Sequence, residues 1–166
     1  MKIENYRWLA GLVAAHPNRE IVGRTRLQKT VKLLQRLGFP TDYRYTIYFY
    51  GPYSEDLQAG IDLLNRFGLI QEQEHRSRDG TVYYTIRAGE EAELPQIERF
   101  REVIDELSEA DPVILELAAT YDAFRELGCG HEDAFRRLRR KKGGKCNEGR
   151  DSQALGLLEK IGLPAK

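Results

Sequence analysis

Tyr43-Arg44-Tyr45-Thr46-Ile47-Tyr48-Phe49-Tyr50-Gly51-Pro52-Tyr53-Ser54 is the stretch on which the fold turns. Arg44 to Tyr50 alternates as a strand does, placing Tyr43, Tyr45, Ile47 and Phe49 on one side and Arg44, Thr46, Tyr48 and Tyr50 on the other. Gly51-Pro52 breaks that run, and Ser54 is a helix N-cap. The helix it opens turns Leu57, Ile61, Leu64 and Phe67 to the core and sets Glu55 and Asp56 at its positive N-terminal end.

Before this stretch, two amphipathic helices are expected. The first runs from Glu4 to Ala15, with Trp8, Leu9, Leu12 and Val13 on its apolar side, and ends at Pro17-Asn18. The second opens at Thr25-Arg26-Leu27-Gln28-Lys29, where Thr25 and Gln28 have capping-box spacing. Leu27, Val31, Leu34 and Leu37 recur on one face, and Lys29, Lys32 and Arg36 make the polar face basic. After it, Leu69 to Glu74 and Thr81 to Arg87 read as strands joined through Asp79-Gly80, a preferred tight-hairpin dipeptide. Helix, strand, helix, strand, turn, strand is the order of a winged helix. The expected class is therefore α+β and mainly helical: a winged helix-turn-helix with a small antiparallel sheet and a C-terminal helical extension.

That extension comprises Pro95 to Leu107, Pro112 to Leu127 capped by Asp111, His131 to Lys142, and Ser152 to Ile161 after the Gly143-Gly144 break. A soft boundary near 88–94 divides a winged-helix domain over 1–89 from a helical part over 90–166, expected to pack on it. Leu-Gly-Phe at 37–39, Phe-Gly-Leu at 67–69 and Ile-Gly-Leu at 161–163 end three helices alike. Glycine C-caps account for the likeness better than an internal repeat does.

The 166-residue chain has a formal net charge of zero, unevenly distributed. Residues 19–44 hold seven basic side chains against two acidic ones, about +5, while residues 90–133 hold fourteen acidic against three basic, about −11. A second basic block follows at Arg136-Arg137, Arg139-Arg140-Lys141-Lys142, Lys145 and Arg150. Such polarity either holds the two halves together or offers basic faces to an acidic partner. No apolar run is long enough to span a bilayer and the N-terminal residues lack a signal-peptide core, so a cytoplasmic chain with Cys129 and Cys146 reduced is expected. Cys129, His131 and Cys146 lack the paired spacing of a zinc site, and Gly143-Gly144-Lys145 lacks the elements of a phosphate-binding loop. No nucleophile is paired with a base, so neither enzyme chemistry nor a cofactor is expected.

At Leu27-Gln28-Lys29 and Tyr50-Gly51-Pro52 the chain resembles the Panacea, or SocA-like antitoxin, group, whose members pair a Leu-Gln-Lys helix start with a Tyr-Gly-Pro turn into the next helix. The resemblance covers roughly residues 20 to 75, with Tyr53 where a small aliphatic residue is more usual. It implies a non-enzymatic antitoxin or proteolytic adaptor that recognises a protein. Tyr83-Tyr84-Thr85-Ile86-Arg87-Ala88-Gly89 is similar to the wing exit of winged-helix repressors, with Arg87 in place of threonine, and implies DNA binding.

The residues favour a protein partner or a homodimer. The helix that would enter a major groove exposes Glu55, Asp56, Gln58, Asp62, Asn65 and Arg66, and its carboxylates would meet phosphates directly. Tyrosines, by contrast, join apolar area to a polar tip and suit protein interfaces. The candidate partner-binding residues are Lys29, Lys32, Arg36, Tyr48, Tyr50, Glu55 and Gln58. The candidate nucleic-acid contacts are Arg24, Arg26, Arg76, Arg78, Arg139, Arg140 and Lys141.

Overall fold

A computed structural model describes residues 2–166. In chain order the elements are α1 (Ile3–Ala15), β1 (Glu20–Val22), α2 (Arg24–Arg36), β2 (Thr46–Tyr48), β3 (Gly51–Tyr53), α3 (Glu55–Arg66), β4 (Ile70–Arg76), β5 (Val82–Ala88), α4 (Arg101–Glu109), α5 (Pro112–Glu126), α6 (His131–Lys142) and α7 (Arg150–Ile161). A 3-10 turn, Pro95–Phe100, leads into α4 where the sequence suggests one continuous helix. The fold is α+β, mainly helical with small antiparallel sheets.

The three-stranded sheet has the order β1-β5-β4. Its first strand is absent from the sequence reading: Glu20, Ile21 and Val22 oppose Arg87, Ile86 and Thr85, a pairing too short to show periodicity. The hairpin β4–β5 turns at residues 77–81, where the Asp79 carboxylate accepts from the Thr81 amide at 3.0 Å and Gly80 takes φ +86°. The aromatic stretch behaves differently from expectation. Only Thr46–Tyr48 is extended, and it pairs with Gly51–Tyr53 in a separate two-stranded hairpin rather than joining the larger sheet. Phe49 and Tyr50 form its turn, so Phe49 leaves the inward row of Tyr43, Tyr45 and Ile47 and points to solvent.

Helix ends follow local rules with one exception. Gly38, Gly68 and Gly162 all have positive φ, and the amide after each bonds back to Leu34, Leu64 or Leu158, which is the Schellman arrangement. Ser54 and Asp111 cap α3 and α5 through their side chains. Thr25 does not cap α2: the helix begins a residue earlier behind Gly23, and Gln28 turns elsewhere.

One apolar core runs through both halves of the chain. Trp8 of α1, Phe39 after α2 and Phe100 before α4 meet edge to face with centroids 5.2 to 6.0 Å apart. α5 lies deepest, buried from Ile114 to Phe124 on every side, and packs against α2, β3, α6 and α7. Its polar residues are therefore buried too, which draws the basic residues of its neighbours inward. Among the described residues, no helix is long and apolar enough to cross a membrane.

Candidate functional site

The Leu27-Gln28-Lys29 and Tyr50-to-Ser54 segments are bound to each other. Leu27 is fully buried in the core. The Gln28 side-chain amide donates to the Ser54 carbonyl and accepts from the Ser54 amide, both at 2.9 Å, as a strand neighbour would. At the next residue, the Lys29 ammonium donates to the Pro52 carbonyl at 2.5 Å. Gly51 makes the close approach possible: its φ is +89°, and a Cβ there would lie 2.5 Å from the Thr120 hydroxyl of α5. Three polar bonds from α2 thus fix the backbone from Pro52 to Ser54, and the Ser54 hydroxyl then caps α3.

The hairpin is held from the other half of the chain as well. Lys142 of α6 donates to the Phe49 carbonyl at 2.9 Å and to Glu116 of α5 at 2.5 Å. Lys145 reaches both Glu116 oxygens at 3.0 Å and lies 5.2 Å from the Tyr50 ring centre. Burial lowers the Lys29 pKa to about 8, with Glu116 opposing the shift and Lys142 and Lys145 adding to it. Lys142 is lowered too, by burial first, against the stabilising bond to Glu116.

What this framework presents to solvent is aromatic. Phe49 is 79% exposed and Tyr50 59%, their rings perpendicular with centroids 5.0 Å apart. Tyr48 and Tyr53 form a second edge-to-face pair at 5.9 Å. These rings line a groove of about 450 Å³, together with Gln28, Lys29, Glu55 and Gln58. Arg24 closes one side, doubly bonded to Glu72 at 2.6 and 2.8 Å and resting 3.7 Å over the Tyr84 ring centre.

Among the candidate partner-binding residues, Tyr48, Tyr50, Glu55 and Gln58 come together in this groove. Lys29, Lys32 and Arg36 do not form a free basic face, and the sequence expectation is corrected there. Lys29 and Lys32 are buried, Lys32 pairs with Asp122 and Glu126 of α5, and Arg36 bonds the same Asp122 at 3.0 Å. An amphipathic pattern marks the polar side of a helix but cannot reveal that an acidic helix covers it.

The candidate nucleic-acid contacts divide similarly. Arg24 is held by Glu72, Arg26 donates to the carbonyls of Leu107, Ser108 and Ala110 at the end of α4, and Arg139 pairs with Asp151. These three have structural partners, which corrects their reading as free cations. Arg76 and Arg78 are exposed on the β4–β5 hairpin, and Arg140 and Lys141 at the end of α6. Phe49, Tyr53 and Gln28 also line the groove, although the sequence pattern sets Phe49 on the inward side of a strand and gives Gln28 a capping role. A two-residue gap between Tyr48 and Gly51 was the signal for a hairpin turn that would have exposed Phe49.

No family model matches the chain. It is similar to the uncharacterised protein YwgA of Bacillus subtilis (strain 168), with 42% identity over 53 residues, which cover 32% of this chain and 32% of that protein. The match thus spans about a third of that relative's length.

Proposed function

We propose that this chain is a non-catalytic winged-helix module of antitoxin-like or adaptor type that binds a protein partner through its aromatic hairpin. The element order α1-β1-α2-β2-β3-α3-β4-β5, in which β1 lies beside β5 and the β2–β3 hairpin stands apart from the three-stranded sheet, supports the winged-helix reading. The observation that carries the function is the exposure of Phe49 and Tyr50 on a backbone pinned at Phe49 and Pro52 by two lysines. Large rings on a fixed backbone lose little conformational freedom on docking, and aromatic anchors dominate protein interfaces.

DNA binding is the competing use of such a fold. The electrostatics stand against it: α3 carries Glu55, Asp56 and Asp62 on its exposed side, and Arg24 and Arg26 are engaged within the molecule. Fluorescence anisotropy of a labelled random duplex, titrated at about 50 and 200 mM salt, separates the readings. No binding at either salt is expected. Tight binding at low salt that collapses at high salt would overturn the proposal in favour of DNA.

A further inference from the structure

The exposed tip of the aromatic hairpin stands on a group of charges that does not balance. Glu116 is accepted there as the shared counter-ion of two ammonium groups, Lys142 at 2.5 Å and Lys145 at 3.0 Å. Lys29 adds a third ammonium at the base of the hairpin, where its hydrogen-bond partner is the Pro52 carbonyl. The Pro52 and Phe49 carbonyls satisfy N–H donors but bring no net charge. The C-terminal end of α6, at Lys142, offsets about half a unit of charge. Asp151 is held by Arg139, and Glu148 faces Arg150. Among the described residues, therefore, three ammonium groups share one carboxylate.

Burial makes the imbalance consequential. Lys29 and Lys142 are buried, where charge without a counter-charge is costly and weakly screened. The group reaches solvent at Lys145, which is half-buried and lies 5.2 Å from the Tyr50 ring centre, beside the exposed Phe49 and Tyr50 rings. Lys141, exposed next to Lys142 on α6, adds to the positive potential. An anion at Lys145 would complete the set, and the adjoining rings supply apolar area to hold the segment that carries it. The groove side of the hairpin is different: Arg24 is neutralised there by Glu72, and Glu55 stands on the rim. A nucleic-acid strand laid over the tip would bring repeated phosphates toward Glu55, whereas one acidic segment of a folded partner meets Lys145 alone.

We propose that the hairpin tip docks an acidic segment of the protein partner, with an apolar side chain against Phe49 and Tyr50 and a carboxylate at Lys145. The assignment rests on the protein-binding reading and specifies the partner's chemistry. A single exposed ion pair changes affinity only severalfold, so a short acidic segment binds weakly but with selectivity for charge.

The test uses the full chain, labelled with ¹⁵N, and two isosteric probes at low salt, the peptides acetyl-Gly-Leu-Asp-Leu-Gly-amide and acetyl-Gly-Leu-Asn-Leu-Gly-amide. The Asp peptide should shift the amides of residues 48–51 and 141–146 saturably, and the Asn peptide, of the same shape without charge, should bind at least about threefold more weakly. Lys145→Gln should weaken the Asp peptide by about threefold and leave the Asn peptide unchanged, while Lys145→Arg, which keeps the charge, should restore the parent affinity. Equal affinity for the two peptides, or no shifts in those residues, would overturn the assignment. Shifts there from oligothymidylate, with none from the Asp peptide, would overturn it in favour of a nucleic acid. Failure of the Asp peptide while substitution of Phe49 and Tyr50 still abolishes partner capture would leave a protein-binding hairpin with a non-acidic partner, so the two readings fail separately.

Discussion

At the scale of single residues, Gly51 and Lys29 carry the hairpin. Any side chain at Gly51 meets both a left-handed backbone and the Thr120 hydroxyl, so Gly51→Ala should cost about 3 kcal/mol in chemical denaturation. Adding Thr120→Ala should recover about 1 kcal/mol by removing the clash while leaving the backbone strain. A Gly51→Ala variant within about 0.5 kcal/mol of the parent would show that the close approach is not needed.

Lys29 gives a pH signature. Its folded pKa of about 8 lies below the ordinary 10.5, so between these values the unfolded chain binds more protons than the folded one. Stability from this group is therefore full above about 10.5 and is lost as pH falls toward 8. The stability of the parent relative to Lys29→Met should rise by about 2 kcal/mol between about pH 7 and 9.5. A difference independent of pH would contradict the burial of a charged ammonium. The sequence shows Leu-Gln-Lys at a helix start and Tyr-Gly-Pro at a turn, but not that Gln28 and Lys29 bond the carbonyls around Pro52, because partners 23 and 26 residues away leave no periodic trace.

At the scale of elements, legibility follows length. The long helices and the β4–β5 hairpin are readable because apolar spacing and Asp79-Gly80 repeat or punctuate over several residues. β1 escapes because three residues cannot display alternation, and Arg44 to Tyr50 misleads because alternation continues through a turn. The α2–α5 seam is the clearest case of tertiary context overriding pattern. Asp122 is completely buried between Lys32 and Arg36, so Asp122→Ala should cost about 3–5 kcal/mol by leaving Lys32 poorly compensated in the interior. The partly exposed Glu126 should cost at most about 1 kcal/mol when replaced by Ala. Thermal or urea unfolding of the two variants checks the order, and equal losses would place the seam in solvent.

On the whole-molecule scale, the opposed charges of residues 19–44 and 90–133 meet in part within the fold. Lys32 and Arg36 face Asp122 and Glu126, Arg19 faces Glu93, and the second basic block reaches back to Glu116 through Lys142 and Lys145. Charge counting made that match conceivable; only packing around α5 makes it specific. Because α5 covers α2 and β3, residues 1–89 alone should lack a cooperative unfolding transition and give a poorly dispersed ¹H–¹⁵N spectrum. A well-dispersed spectrum from that fragment would show that the first half folds without α5. The proposed docking surface is only half legible in the sequence: Tyr48, Tyr50, Glu55 and Gln58 are readable as polar-tipped or helix-entry residues, whereas Lys29, Lys32 and Arg36, grouped with them, are buried or paired with α5.

The most direct measurement is affinity capture with the tagged full chain beside its Phe49→Ser/Tyr50→Ser variant, both expressed in their native cells and matched by thermal unfolding. Both substituted side chains are exposed, so the variant should keep the parent melting temperature within a few degrees. A protein recovered in near-stoichiometric amount with the parent and lost with the variant is the result predicted here. A partner retained at equal yield by the folded variant would contradict the assignment of the aromatic hairpin as the docking surface.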